Sequence, residues 1–106
     1  MNMDDYQRRA HATAVYDPGQ AQTYTVLGLA SEVGEVAALV KRSIRDGMPQ
    51  SELEAKMLIE LGDCLWYLAG CAGAYGWTLE TVAQANLDKL ASRAQRGVLK
   101  GEGGER

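Results

Sequence analysis

Three features of the chain predict an all-α fold. Apolar residues recur at three- and four-residue intervals over long windows, proline occurs only at Pro18 and Pro49, and glycines fall mostly where those windows stop. At 106 residues one domain is expected, with a small core. Residues 1–97 read as that domain, and 98–106, where Gly and charge dominate, as a flexible tail.

The elements follow in order. Residues 3–16, "MDDYQRRAHATAVY", read as a first helix closed by "DPGQ". Residues 22–46 read as a second. Its apolar stripe is Val26, Leu29, Ala30, Val33, Ala37, Val40 and Ile44, and "DGMP" ends it, with Gly47 suited to a left-handed cap and Pro49 blocking continuation. Ser51 reads as the start of a third helix, with Glu54 completing a capping box. Its stripe runs Leu53, Met57, Leu61, Cys64, Leu68, Cys71 and Tyr75, and Gly76 stops it. Thr78 is a natural N-cap for a fourth helix, 79–96, with Leu79, Val82, Ala83, Leu87 and Leu90 inward and Gly97 at its end. Short connections make neighbouring helices antiparallel. The third helix is also apolar outside its stripe, at Leu58, Ile59, Leu65, Trp66 and Tyr67, so it needs cover on more than one side. A two-fold homodimer, or a homotetramer built from it, supplies that cover.

Composition excludes several function classes. Hydrophobic content of 46% and charged content of 24% are those of an ordinary globular chain. A net charge of −3 gives no basic surface, so no nucleic-acid polymer is expected as a partner. No uninterrupted apolar run approaches about 18 residues, so no membrane span is expected, and "MNMDDYQRRA" lacks the apolar core of a signal peptide. The two cysteines, Cys64 and Cys71, are two turns apart on one helix, too far for a mutual disulfide. They read as small hydrophobes in a reducing cytoplasm. The single histidine, His11, has no companion CxxC and is given no role.

The chemistry-bearing pattern is acidic. Glu32 and Glu35 in "LASEVGEVAALVKR", and Glu60 and Asp63 in "ELGD", are two pairs spaced i,i+3. Such pairs are common by chance in a chain with 14 acids, as is Glu102 with Glu105 in the tail. Their placement about the turn is more specific. In an antiparallel hairpin, facing residues have a constant index sum, and Glu32 with Asp63 and Glu35 with Glu60 both sum to 95, centred on "DGMP". By helical angle, Glu32 and Glu60 lie roughly 80–100° from their stripes and Glu35 and Asp63 roughly 140–160°, so all four can share one hairpin edge. Four clustered carboxylates repel unless a cation joins them or protons are taken up. An all-oxygen donor set selects a hard cation, Mg²⁺ with Mn²⁺ as substitute, whose usual further ligand is a substrate phosphate. The bland alternative is an ordinary solvated edge.

The fourth helix places Asn86 in line with Ala83 and Leu90, where an amide is expected to be buried and must find partners, across a helix interface or on a ligand. Lys89 and Arg93 follow on the same strip and can meet phosphate oxygens, or simply snorkel at a surface. Lys41, with Arg42 and Arg45, complements the dipole of the second helix and can also reach an anionic ligand. Trp66 and Tyr67, just beyond Asp63, can stack on a base or serve as interface core.

Together "ASEVGEVAALVKR", "ELGDCLWYLAG" and "LETVAQANLDKLASR" resemble the MazG family of all-α nucleoside triphosphate pyrophosphohydrolases, over about residues 24–97. The resemblance implies a dimer or dimer of dimers, and Mg²⁺ held by the positions matching Glu32, Glu35, Glu60 and Asp63. It implies nucleotide and phosphate contacts from Asn86, Lys89 and Arg93. It also implies cleavage of a (deoxy)nucleoside triphosphate between the α and β phosphates, to a monophosphate and pyrophosphate. Glu35 or Glu60 would then serve as base beside its role as ligand, with Lys41 and Trp66 as further nucleotide contacts. Related house-cleaning hydrolases of the dCTP and dUTP type share the carboxylate pattern, and phosphoribosyl-ATP pyrophosphohydrolases share the fold. A non-enzymatic helical nucleotide-binding module is the alternative from another class.

Overall fold

A computed structural model describes residues 1–97; the expected tail, 98–106, lies outside them. Among the described residues there are four α-helices and one 3-10 turn. They are α1 (Met3–His11), the turn Pro18–Gln20, α2 (Ala21–Asp46), α3 (Gln50–Ala74) and α4 (Leu79–Gln95).

Two helix starts and one stop differ from expectation: α2 begins at Ala21 and α3 at Gln50, each one residue early, and α1 stops short. α1 begins with a capping box at Asn2, whose side chain accepts from Asp5 N while the Asp5 carboxylate faces Asn2 N. It ends at His11 rather than continuing to residue 16. Thr13 is the reason: its hydroxyl donates to the Ala10 carbonyl and accepts the Trp66 indole N–H at 2.9 Å, which holds the chain in a turn. α3 starts at Gln50, one residue early, because Glu52 N and Leu53 N both donate to the Pro49 carbonyl. Ser51 therefore lies inside the first turn and the Ser51–Glu54 capping box does not form. The other stops are as expected. Gly47 and Gly76 take left-handed φ values of 64° and 81°, with Met48 N and Trp77 N reaching back to the Ser43 and Ala72 carbonyls. The Thr78 hydroxyl caps α4 by accepting from Thr81 N.

The α2–α3 hairpin is the main body of the chain. On α3 the half-buried positions include Leu53, Met57, Glu60, Cys64, Tyr67, Cys71 and Ala74, a 4-3 alternation, with Leu65, Trp66 and Gly70 half-buried beside it. That is the spacing of knobs-into-holes packing between antiparallel helices. On α2 the less exposed positions are centred on Ala21, Thr25, Gly28, Glu32, Val36, Leu39 and Ser43, with Leu29, Ala38 and Arg42 half-buried at the flanks. This face is rotated roughly 110° from the apolar stripe predicted for α2. Val26, Val33, Val40 and Ile44, expected inward, are exposed, Ile44 at 78%. Among the described residues that stripe is largely uncovered, Leu29 excepted, because α2 meets α3 through smaller residues. Gly28 lies against the Tyr67 ring and Thr25 against Gly70, so two contacting pairs keep the index sum of 95 that the turn predicts.

The N-terminal segment locks the far end of the hairpin. Gln7 donates to the Ala69 and Trp77 carbonyls at 3.1 and 3.0 Å and accepts from Leu79 N at 3.0 Å, tying α1 to the end of α3 and the start of α4. Asp4 accepts from Glu80 N. Beneath these bonds Ala69, Ala72 and Leu79 form a small core with Tyr6 and Val82. α4 packs there on α1 and α3 and, among the described residues, does not touch α2. Its expected inward residues Leu87 and Leu90 are consequently exposed.

By length and composition alone, α2 and α3 are apolar enough to cross a membrane, at a mean hydropathy of 1.2. Each carries two acids near its middle, and an acid at a bilayer centre costs about 2.5–3.5 kcal/mol.

The Gly28–Tyr67 contact sets the hairpin spacing, and a Cβ at Gly28 would lie 2.1 Å from the Tyr67 ring. Gly28→Ala should cost about 1–3 kcal/mol in urea unfolding, as overpacking does. Gly34→Ala, where a Cβ meets nothing within 4 Å, should be neutral or stabilising in the same assay.

Candidate metal centre

α2 contributes Glu32 from the middle of its packed face, and α3 contributes Glu60 from its seam and Asp63 from the adjoining edge. One ligand oxygen from each lies within 4.8 Å of the other two. Glu32 and Glu60 are half-buried and Asp63 is exposed, so the group opens to solvent on one side. Glu35, expected as a fourth member, is exposed and outside this set, although its charge still acts on Glu32.

The electrostatics show the strain of this gathering. Burial, then the charges of Asp63, Glu60 and Glu35, raise the Glu32 carboxyl above the ordinary carboxylate range. Among the described residues the ion pairs are Arg8–Asp5, Arg45–Asp46 and Lys56–Glu52, and none neutralises the trio. Three convergent oxygens, which share no ion pair in the set just given for the described residues, fit a hard divalent cation. Cys64, beside the trio, does not add a soft ligand. Burial, then the charges of Glu32, Glu60 and Asp63, push its thiol up and keep it protonated.

Aromatic side chains form the wall next to the carboxylates. Trp66 and Tyr67 meet edge to face at 4.9 Å, Trp66 meets Tyr16 at 6.1 Å, and Tyr16 stacks on Tyr24 at 5.0 Å. A hydrogen bond with Tyr24 is the main cause that raises the Tyr67 hydroxyl, followed by burial. Trp66 is thus held by packing and by Thr13, not free to swing. The contributions of Thr13, Tyr16 and Tyr24 were not anticipated. Thr13 and Tyr16 lie in the stretch expected as the end of the first helix, and Tyr24 lies on α2 away from its apolar stripe, so only their contacts reveal them.

The remaining expected residues are dispersed within one chain. Asn86 is exposed, not buried, because α4 leaves the core after its first turns. Lys89 is exposed and Arg93 is buried, on the same face of α4 as Leu79 and Val82. Since α4 does not touch α2, a single chain does not fold this strip against Glu32. Lys41 is exposed and, nine residues beyond Glu32, lies on the opposite side of α2.

Fold and centre together define an all-α protein that gathers acids from the two arms of a helical hairpin. Residues 20–98 match the family described as MazG nucleotide pyrophosphohydrolase domain, and the chain belongs to that family. It is also 40% identical to the Gene 37 protein of Mycobacterium phage L5, over the full length of both chains, a name that states no activity. No solved structure matches.

Because the folded state holds the Glu32 proton more tightly than the unfolded chain, stability of the metal-free protein should fall as pH rises from about 4.3 through the raised value. Thermal melts between pH 4 and 8 should show this decline. Glu32→Gln, or added Mg²⁺, should flatten it.

Proposed function

We propose that the chain hydrolyses (deoxy)nucleoside triphosphates between the α and β phosphates, releasing a monophosphate and pyrophosphate, and that it requires Mg²⁺ or Mn²⁺. The single observation that carries this reading is the convergence of Glu32, Glu60 and Asp63 in a chain of the MazG family. When bound, the divalent ion supplies charge neutralisation for the triphosphate and the departing pyrophosphate. The three carboxylates would hold it.

Glu35, exposed and one turn along α2 from Glu32, would accept the proton of an attacking water. Glu60 combines metal holding with orientation of that water. The water oxygen bonds to the α-phosphorus as the bond to the bridging oxygen breaks, the proton passes to a carboxylate, and pyrophosphate leaves. Asn86, Lys89 and Arg93 serve as nucleotide and phosphate contacts, with Lys41 as a further cation and Trp66 as a base contact.

This assignment requires a second copy of the chain. The exposed stripe of α2, together with Leu58 and Ile59 on α3 and Leu87 on α4, supports a homodimer or homotetramer that covers those faces. Such an assembly can carry the α4 strip and Lys41 of one chain to the carboxylates of another. It also accounts for the apolarity of α2 and α3 without a membrane. We place the protein in the cytoplasm, with no nucleic-acid polymer as partner.

Product analysis by anion exchange, over a panel of nucleoside triphosphates, tests the reaction. Mg²⁺-dependent monophosphate plus pyrophosphate is expected, and diphosphate plus orthophosphate would overturn it. Glu60→Gln should lower kcat at least about 100-fold, a typical cost for losing a catalytic acid–base group, while circular dichroism and the melting temperature stay near wild type. Retained activity in that variant would remove Glu60 from the centre. Wild-type protein should sediment as a dimer or larger.

A further inference from the structure

α4 takes its direction from its first turn. Leu79 is buried and Val82 half-buried, and from Ala83 to Ser92 every residue is exposed. The core partners of that turn on α3 are Ala69 and Ala72, whose side chains are short. Apolar contact of this kind is non-directional and by itself would let α4 tilt or roll.

Hydrogen bonds supply the direction. The first backbone N–H groups of a helix have no partner within it. In α4 three successive ones are met by three different side chains. Leu79 N donates to Gln7 Oε1 at 3.0 Å, Glu80 N to Asp4 Oδ1 at 3.2 Å, and Thr81 N to Thr78 Oγ1 at 3.1 Å. The last is a local cap, and the other two come from α1. Gln7 and Asp4 are three residues apart, so they stand on one face of α1 and grip α4 at two points. The Gln7 amide also donates to the Trp77 carbonyl, just before α4, and to the Ala69 carbonyl in α3. One side chain thereby references the start of α4 to α3. Such bonds weaken steeply when misaligned, which is what apolar contact lacks. With these donors engaged, the start of α4 is a joint and not an anion site.

The lever beyond the joint is long. Lys89 is ten residues past Leu79, about 15 Å along the axis, so a tilt of about 10° displaces it by roughly 2–3 Å. A displacement of that size is close to a whole hydrogen-bond length, about 2.9 Å.

We propose that Gln7 and Asp4 are positioning residues: capping α4 from α1, they set the angle at which Asn86 and Lys89 are presented to the phosphates of a nucleotide, the contacts of that strip resting on the proposed function. Neither belongs to the carboxylate trio. Both precede residue 20, where the family match begins, so the joint is built from outside the matched domain.

Gln7→Met keeps the length of the side chain and removes its three hydrogen bonds. Asp4→Ala removes the fourth, and Asp4→Asn keeps an acceptor in place. Asp5→Ala is the control, because Asp5 caps α1 itself and its hydrogen bonds are to Asn2 and Arg8. With Mg²⁺, Gln7→Met and Asp4→Ala should lower kcat/KM about 10-fold or more, mainly through KM, while Mn²⁺ affinity stays within about twofold of wild type. Asp4→Asn should recover most of the loss, and Asp5→Ala should lower the melting temperature without moving KM. Spin labels at the exposed positions Ala55 and Ala91, introduced as Ala55→Cys and Ala91→Cys with Cys64→Ala and Cys71→Ala, read the direction of α4 without turnover. With labelled chains diluted in unlabelled ones, the distance distribution should be narrow in the otherwise wild-type chain and in Asp5→Ala. In Gln7→Met and Asp4→Ala it should shift or broaden by about 3 Å. A distribution unchanged in both, or a KM rise that Asp5→Ala reproduces at equal loss of melting temperature, overturns the positioning role even when turnover is normal. No turnover of any nucleotide by wild type, with distances that still shift in Gln7→Met and Asp4→Ala, overturns the proposed reaction and leaves α1 as the element that orients α4.

Discussion

The register of the α2–α3 hairpin is the constraint on which the rest depends. Two close contacts hold it, Gly28 on the Tyr67 ring and Thr25 on Gly70. The turn at Gly47 sets the same register independently, through its left-handed φ of 64°. Slipping either helix by one residue would rotate its side chains by roughly 100°. Glu32 would then leave Glu60 and Asp63, and the cluster would dissolve. A centre on two long helices joined by a tight turn is rigid, and that rigidity is what allows like charges to be forced together.

Forcing them together has consequences for the bare protein. Glu32 is pushed toward its protonated form by burial and by three neighbouring acids. On the proposed reading, a bound divalent cation would relieve the repulsion that folding imposes. The same field reaches Cys64, Tyr67 and Tyr6, raising each of them along with burial or hydrogen bonding.

Helix number, order and most boundaries were legible from period, proline and glycine, because those signals are local. The facing of Glu32 and Asp63 was legible too, since a hairpin register follows from a turn. The packed face of α2 was not. Its strongest apolar stripe, Val26 to Ile44, points away from α3, and Gly28, Thr25 and Leu39 make the real contact. Apolar period reports the total demand for burial and does not say which neighbour meets it. The same cause misplaced Asn86: its face is the inward one, but α4 outruns the core that would cover it. Thr13 ending α1 depended on Trp66, fifty-three residues away, which no local pattern encodes.

The measurement that most directly tests this account is the affinity for Mn²⁺, read from the electron paramagnetic resonance of the free ion. Wild type should bind Mn²⁺. Glu32→Gln, Glu60→Gln and Asp63→Asn should each weaken binding about 10-fold or more, as loss of a ligand at one shared site does, while Glu35→Gln weakens it less. Binding that is absent in wild type, or indifferent to all three substitutions, would contradict the reading of the hairpin acids as one cation centre.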